Sequence, residues 1–460
     1  MVQDASGFDY APSRVDLTSI AGLDLLMRVM RKLGIPRTIR RLVRVKKIRY
    51  GFTEDQHLIP LVLNIALGRS DLNDIQWLAK EKKLLKGILG YAKLPKERAL
   101  ANHLAQYGDE ALAAIKSITA SVISPDQLSS EPAMTGLPAL IPLDVDPSIF
   151  EQYAPKREKA ETTYDGRLCY TPAFAFLGRE RYVLHHQLQA GREKVVETID
   201  AFLKSCFDRL PDGIDRKSIL ARFDSGLYSG KTVASCEEAG VWYLVKARSS
   251  APLDAHIGEE LQADRAEIVP KPWGGEFYGE FAYAPKEWGD PRRFVFCAQI
   301  KTQEENGQQL LIEDVRYQVL VTNLPASGTP RAAFDLYRRR GAAEEPIKEI
   351  KHDLDLEQLP SQSFRVNEVF LAAGLLAYNL LVLLGRQWRD PQAKPRKNAD
   401  GPVTLFRRRI KTLQDVLLRS AATVVAPARR SLLRVTKWWL ERVDLDGILQ
   451  RIQSLAPVPI

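Results

Sequence analysis

Between residues 136 and 248 the chain runs strand, strand, strand, helix, strand, helix, strand, and no other feature limits its fold so tightly. "LPALIPLDVD" reads as the first strand, with "LCYTPAFAFLG" and "RYVLHHQLQAG" following at hairpin distance. "REKVVETIDAFLKSCFDRL" is an amphipathic helix, "KSILARFDSG" a strand, "GKTVASCEEAG" a short helix and "VWYLVKAR" a further strand. That order predicts an α/β sheet. Asp146 leaves the first strand and Asp224 the fourth. Where the two strands are neighbours, their acids meet at the C-terminal edge of the sheet. Asp144 lies on the same strand face two residues earlier and stands as an alternative to Asp146. Taken singly, such acids are ordinary turn formers.

The flanks have a different texture. Residues 15–125 place apolar side chains at three- and four-residue spacings, as in "SIAGLDLLMRVMRKLG" and "DQHLIPLVLNIALG", which predicts a helical N-terminal domain over 1–135. "SPDQLSSEPAMTGLP" (124–138) is rich in turn formers and reads as a linker. The α/β core occupies 136–248, and strand-like sequence over 249–325 reads as a β-rich insertion. Helical sequence resumes over 326–390. The apolar run 369–384 is shorter than the roughly 20 residues a bilayer needs and carries Asn379 near its middle; it reads as a buried core helix, not a membrane span. A basic helical segment over 391–460 closes the chain.

Charge is unevenly placed. The chain carries a net charge of +9, yet residues 28–49 hold ten Lys/Arg and no acid, and residues 386–442 hold fifteen against four acids. Two basic arms around a slightly acidic middle suit a polyanionic partner, since Lys and Arg release counterions from a phosphate backbone. Arg37, Arg40, Arg41 and Arg44 are the candidate DNA contacts of the first arm; a merely solubilising surface would interleave acids. The four cysteines form no CxxC pair and the six histidines no ligand spacing, so reduced, buried thiols are expected. The N-terminal residues lack a basic-then-apolar leader pattern, and export is not expected.

The densest charge lies in "YRRRGAAEEPIKEIK", residues 337–351. At about 100° per residue on a helix, Tyr337, Arg340, Glu344 and Lys351 share one stripe, while Glu345 and Glu349 point away from it. Pro346 opposes a continuous helix, because it lacks an amide hydrogen and crowds the preceding turn. A stripe of Tyr, Arg, Glu and Lys makes a poor core face and a good surface for a cation and phosphates.

Tyr337-x2-Arg340-x3-Glu344-x6-Lys351 resembles the YREK signature of a branch of DDE-type insertion-sequence transposases. The similarity continues through "DLDLEQLPSQSFRVNEVFLAAGLLAYNLL", and "LDVDPSIFEQY" and "RFDSGLYS" resemble the regions around the first and second catalytic aspartates. One departure is Asp146-Pro147-Ser148, where the family often has Asp-Ser-Thr. The resemblance implies a ribonuclease-H-like core interrupted by the β insertion. It assigns Asp146, Asp224 and Glu344 to a metal-binding triad and Tyr337, Arg340 and Lys351 to the transposon-end phosphates. It further implies Mg2+, with Mn2+ as a substitute, and cut-and-paste transposition by two-metal phosphoryl transfer. The implied partners are double-stranded DNA at the terminal inverted repeats and the target, bound by a homodimer in the bacterial cytoplasm, at the nucleoid, with a hairpin intermediate. Trp273 and Trp288 of the insertion are expected to pack there, a flipped base being the other role open to them. A plain ribonuclease-H-like nuclease would need neither the basic arms nor the Arg340/Lys351 clamp, and a transposase-derived DNA-binding protein would lack a carboxylate.

Overall fold

The computed structural model describes residues 15–45, 51–163, 166–271, 274–286, 288–305, 308–389, 397–398, 401–402, 408–425 and 432–458. The chain divides into two compact units, one formed by residues 1–118, 352–360 and 365–460 and the other by residues 119–351 and 361–364.

The second unit is built on a nine-stranded mixed sheet. Its strands, in chain order, are β1 Ile141–Pro147, β2 Ala173–Leu177, β3 Tyr182–Gln187, β4 Ile219–Phe223, β5 Trp242–Lys246, β6 Glu267–Lys271, β7 Gly274–Tyr283, β8 Arg292–Glu305 and β9 Gln308–Thr322. They lie in the order β6-β7-β8-β9-β5-β4-β1-β2-β3. β1, β4 and β5 are parallel, and their neighbours on both sides run antiparallel. Every residue of β2 and β4 is buried, as expected of strands covered on both faces. The strands and helices read from residues 136–248 form, except that "LCYTPAFAFLG" divides into β2 and the strand Leu168–Tyr170, which belongs to a separate three-stranded sheet.

The segment 249–325 departs from its reading in two ways. It opens with a helix, Ala251–Gln262, whose signal was available: a proline in the first turn and Leu253 and Ile257 four residues apart, both buried. Its four strands then extend the same sheet through the β5–β9 pairing. The stretch 124–138, read as a linker, is anchored structure. Glu131 is buried and its amide bonds the carbonyl of Leu140 at 2.7 Å, and a Cβ on Gly136 (φ +77°) would overlap the Ser327 backbone.

Helix Pro330–Arg338 covers the face of β4 and β5 that carries Leu220 and Leu244, packing Phe334 and Leu336 into a core with Val295 and Leu320. The Thr329 hydroxyl accepts from the amide of Ala332 at 3.2 Å and Pro330 fills the first turn, so the helix start is fixed locally.

The first unit joins both ends of the sequence. Helices Leu23–Lys32, Ile35–Leu42, Glu54–Ala66, Lys82–Leu89 and Glu97–Leu104 share it with the long helix that reaches Gln387. That helix, Phe364–Gln387, spans 24 residues and is long and apolar enough to cross a membrane, but 94% of its most apolar window is buried inside the protein, as a core helix requires. The C-terminal segment, read as helical, also contains a hairpin. Ala422–Val425 pairs with Leu432–Val435 and, on its other side, with Leu17–Thr18. The β-branched run "ATVV" is the local cause.

Gly22 marks a close approach of N- and C-terminal segments. Its φ of −66° is ordinary, but a Cβ there would overlap the backbone carbonyl of Leu417. Gly22→Ala should therefore destabilise the protein by about 1–3 kcal/mol. Gly258→Ala, mid-helix with no atom within 4 Å of the new methyl, should gain about 0.5–1 kcal/mol. Denaturant unfolding of the two variants checks this, and a loss in both would show that packing at Gly22 is not the cause.

Candidate active site

Parallel pairing of β1 with β4 runs from Ile141 opposite Ile219 to Val145 opposite Phe223. The next residue on each strand is Asp146 and Asp224. Register alone therefore sets the two acids side by side where the strands end. Asp224 caps the turn that follows, its carboxylate accepting from the amide of Gly226 at 3.0 Å. Arg248, just past β5, donates to the carbonyls of Ser225 at 2.9 Å and Gly226 at 3.2 Å, bracing the same turn from the neighbouring strand.

Asp144 has a different environment from Asp146. It is fully buried and opposite Arg222 in the sheet. Arg222 donates from Nε to Oδ1 at 2.6 Å and from Nη2 to Oδ2 at 2.9 Å. Its Nη1 reaches the Glu131 carboxylate at 3.2 Å and the carbonyl of Leu336 at 2.7 Å. Arg181 pairs with Asp144 from the other side, and Arg339 with Glu131 at 3.1 Å. Asp144 is thus a structural anion enclosed by guanidinium groups, whereas the Asp146 side chain keeps 14% of its surface exposed. Arg222, Arg181, Glu131 and Arg248 were not found by sequence reasoning; an arginine inside "ILARFDSG" has no spacing signal.

Residues 337–351 do not form the uniform helix that the stripe assumes. An α-helix ends at Arg338, a 3₁₀ stretch spans Arg339–Ala343, one α turn spans Glu344–Lys348, and a π turn spans Glu349–Asp353. Pro346 has no amide to donate to the carbonyl of residue 342 and its ring crowds that carbonyl, so an unbroken α-helix cannot run through this turn. The angular stripe consequently fails, and Glu349, expected to point away from it, is buried.

Each signature residue has its own setting. The Tyr337 hydroxyl donates to the carbonyl of Phe223 at 3.2 Å, next to Asp224; burial pushes its pKa up. Arg340 pairs with Asp146, Nη2 to Oδ1 at 2.8 Å, and lies 3.4 Å from the carbonyl of Val145. Glu344 is 74% exposed and faces Lys348 at 3.6 Å. The Lys351 ammonium sits 5.6 Å from the centre of the Phe150 ring.

Burial pushes the Asp146 carboxyl up from 3.8 to about 6; Arg340 opposes this, and the negative charges of Asp224 and Glu344 reinforce it. Asp146 therefore lies within the field of both other acids. Among the described residues no group of three or more His, Cys, Asp or Glu stands ready to hold a metal ion. Carboxylate oxygens are the donors a hard divalent cation takes; here Asp146 is engaged by Arg340 and Glu344 is turned to solvent beside Lys348.

Arg37, Arg40, Arg41 and Arg44 are all exposed, on or just past helix Ile35–Leu42, whose Ile35, Thr38 and Ile39 face inward. Helical spacing puts Arg37, Arg40 and Arg41 on one face, while Arg44 follows Val43, whose backbone is already extended. Arg40 is tied to Asp55 at 3.3 Å, leaving the other three as the outward basic face. Trp273 lies outside the described residues. Trp288 packs on Tyr228, with ring centres 4.9 Å apart. All four cysteines are buried free thiols, and burial pushes those of Cys206 and Cys236 up.

The shift at Asp146 has a stability consequence. A carboxyl raised from 3.8 to about 6 holds its proton in the folded state where the unfolded chain releases it. Stability is therefore lost as pH rises through that window, with the cost complete above about pH 6. Asp146→Asn keeps an acceptor for Arg340 and should stabilise the DNA-free protein at pH 8 by at most about 3 kcal/mol. Thermal melting from pH 4 to pH 8 checks this, and a gain independent of pH would exclude titration of Asp146 as its source.

No curated protein sequence matches the chain. Among solved structures, a piggyBac transposase synaptic complex with hairpin DNA aligns over 97% of this chain and 89% of its own at 9% identity. Its TM-score is 0.36, a level at which the likeness carries nothing about the site. A family model described as "Transposase DDE domain group 1" matches residues 14–457. That match takes in both compact units and both strand-end acids: the chain belongs to the DDE-domain transposases, group 1.

Proposed function

We propose that this transposase cuts DNA at the ends of a mobile element and joins the freed 3′ ends to target DNA, using a ribonuclease-H-like core of the YREK-signature, insertion-sequence type. The observation that carries the reading is the β1–β4 register, which sets Asp146 beside Asp224 within the field of Glu344. The order β3-β2-β1-β4-β5 agrees with a core of that kind.

In this reading Asp146, Asp224 and Glu344 hold Mg2+, for which Mn2+ substitutes. Bound ions of this kind activate water or a DNA 3′-hydroxyl and stabilise the leaving 3′-oxygen. The rest falls to the chain. Tyr337 holds the end of β4 through the Phe223 carbonyl and so fixes where Asp224 sits. Arg340 and Lys351 take the phosphates flanking the cut, Arg340 through its planar fork. Arg37, Arg40, Arg41 and Arg44 neutralise duplex phosphates without reading sequence. The protein works as a homodimer that brings two inverted repeats together by cut-and-paste, in the bacterial cytoplasm at the nucleoid.

Two measurements test this. On DNA carrying the sequences that flank the gene, Glu344→Gln should abolish Mg2+-dependent cleavage while end binding persists. Glu345→Gln, one residue along, should remain active. If both variants cut, the proposed third carboxylate is wrong. Separately, replacing Arg37, Arg41 and Arg44 by Gln should weaken binding to all duplexes and lower the slope of log K against log salt by about 0.9 for each phosphate no longer neutralised. Unchanged affinity at every salt concentration would make these arginines a solvated face.

A further inference from the structure

Arg340 and Asp146 are each assigned a ligand above, a phosphate and a cation, yet in the structure they bind each other. Both side chains are mostly buried, at 15% and 14% exposure, and the Nη2–Oδ1 distance of 2.8 Å is that of a charge-assisted hydrogen bond. The pair is not a well-finished structural bridge. Arg340 Nε is buried with no hydrogen-bond partner, and its second contact, to the Val145 carbonyl, is long at 3.4 Å. The contrast with Arg222 is direct, since that guanidinium makes four bonds to two carboxylates and a carbonyl between 2.6 and 3.2 Å. A guanidinium with spare donors beside an acid flanked by further acids is held by one strong contact that either partner can exchange.

We propose that the Arg340–Asp146 ion pair is a latch that keeps the cation site incomplete until a phosphodiester takes the guanidinium. The inference rests on Asp146 being a cation ligand, as proposed above. A phosphate offers Arg340 two oxygens for its fork in place of one carboxylate contact. Once it leaves, Asp146 has surplus negative charge beside Asp224 and Glu344 and draws a divalent cation. The two ligands are thereby coupled, each raising the affinity for the other, and metal is taken up where DNA is already in place.

The test uses the full-length, DNA-free protein and Mn2+, with binding read from loss of the free-ion electron paramagnetic resonance signal. Arg340→Gln should bind Mn2+ at least about tenfold more tightly than wild type, the factor corresponding to one charge-assisted hydrogen bond. Arg340→Lys, which keeps the cation, should stay near wild type. Arg338→Gln removes the same charge from a guanidinium bonded to Glu276 at 3.2 Å and should leave Mn2+ affinity unchanged. Adding Asp146→Asn to Arg340→Gln should erase the gain. Dimethyl phosphate, a soluble phosphodiester, should tighten Mn2+ binding to wild type and have no effect on Arg340→Gln. Should Arg340→Gln fail to fold, the dimethyl phosphate titration of wild type decides alone. A folded Arg340→Gln with wild-type Mn2+ affinity, or a gain that survives Asp146→Asn, overturns the latch. Cleavage separates this from the proposed function. If wild type cuts element ends and Arg340→Gln shows no gain, the latch alone fails. If the gain appears and wild type cuts no element DNA, the latch stands and the function fails.

Discussion

The guanidinium of Arg222 is the contact on which the second unit depends. It is fully buried, and burial pulls its pKa down to about 10, with Glu131 opposing. Taking an ion out of water costs several kcal/mol even after relaxation, and mutual attraction offsets that cost only when geometry is good and every donor is used. Here the fork closes on both oxygens of Asp144, the third group reaches Glu131, and the carbonyl of Leu336 is held as well. One side chain on β4 thus ties β1, the strap at Glu131 and helix Pro330–Arg338. A one-residue slip of β1 against β4 would turn Asp144 to the other face and leave two buried charges unmatched. The worth of the cluster lies in excluding that register, since apolar replacements of buried ion pairs are often as stable. The strand-end acids inherit their alignment from it.

The first unit solves a different problem. Its sequence comes from both ends of the chain, and the apolar helix ending at Gln387 must be covered by segments far apart in sequence. Strand pairing of Leu17–Thr18 with Ala422–Val425, the bond from the amide of Val458 to the carbonyl of Leu33 and the bare backbone at Gly22 bring those segments together. The side-chain amide of Gln414, fully buried, donates to the carbonyls of Ala66 and Asp353 at 3.1 and 2.8 Å. Both bonds of that amide nitrogen thus join segments far apart in sequence.

Much of this was legible in the residues, for reasons that vary by element. β1 and β4 announce themselves because their runs are apolar and end in an acid at a turn, and neighbouring strands make such acids meet. The outward arginines of helix Ile35–Leu42 were legible as a run without acids, though the tie of Arg40 to Asp55 was not, since it depends on a helix packed beside it. Glu131 was hidden by its neighbours: turn-forming residues mark an irregular backbone and do not say whether that backbone is anchored. The spacing of residues 337–351 singled out a stretch that does reach the strand ends, through Arg340 to Asp146 and Tyr337 to the Phe223 carbonyl, but a uniform turn angle could not survive Pro346.

The change of pitch in that stretch has a mechanical meaning. A 3₁₀ helix rises about 2.0 Å per residue and turns about 120°, against about 1.5 Å and 100° for an α-helix. The five residues of Arg339–Ala343 therefore carry about 2.5 Å of length and about 100° of rotation in excess of the same residues wound as α. The excess lies between Tyr337, fixed to the end of β4, and Glu344, which stands in water. Rewinding those residues as α would turn Glu344 by about 100° and draw it about 2.5 Å toward Tyr337.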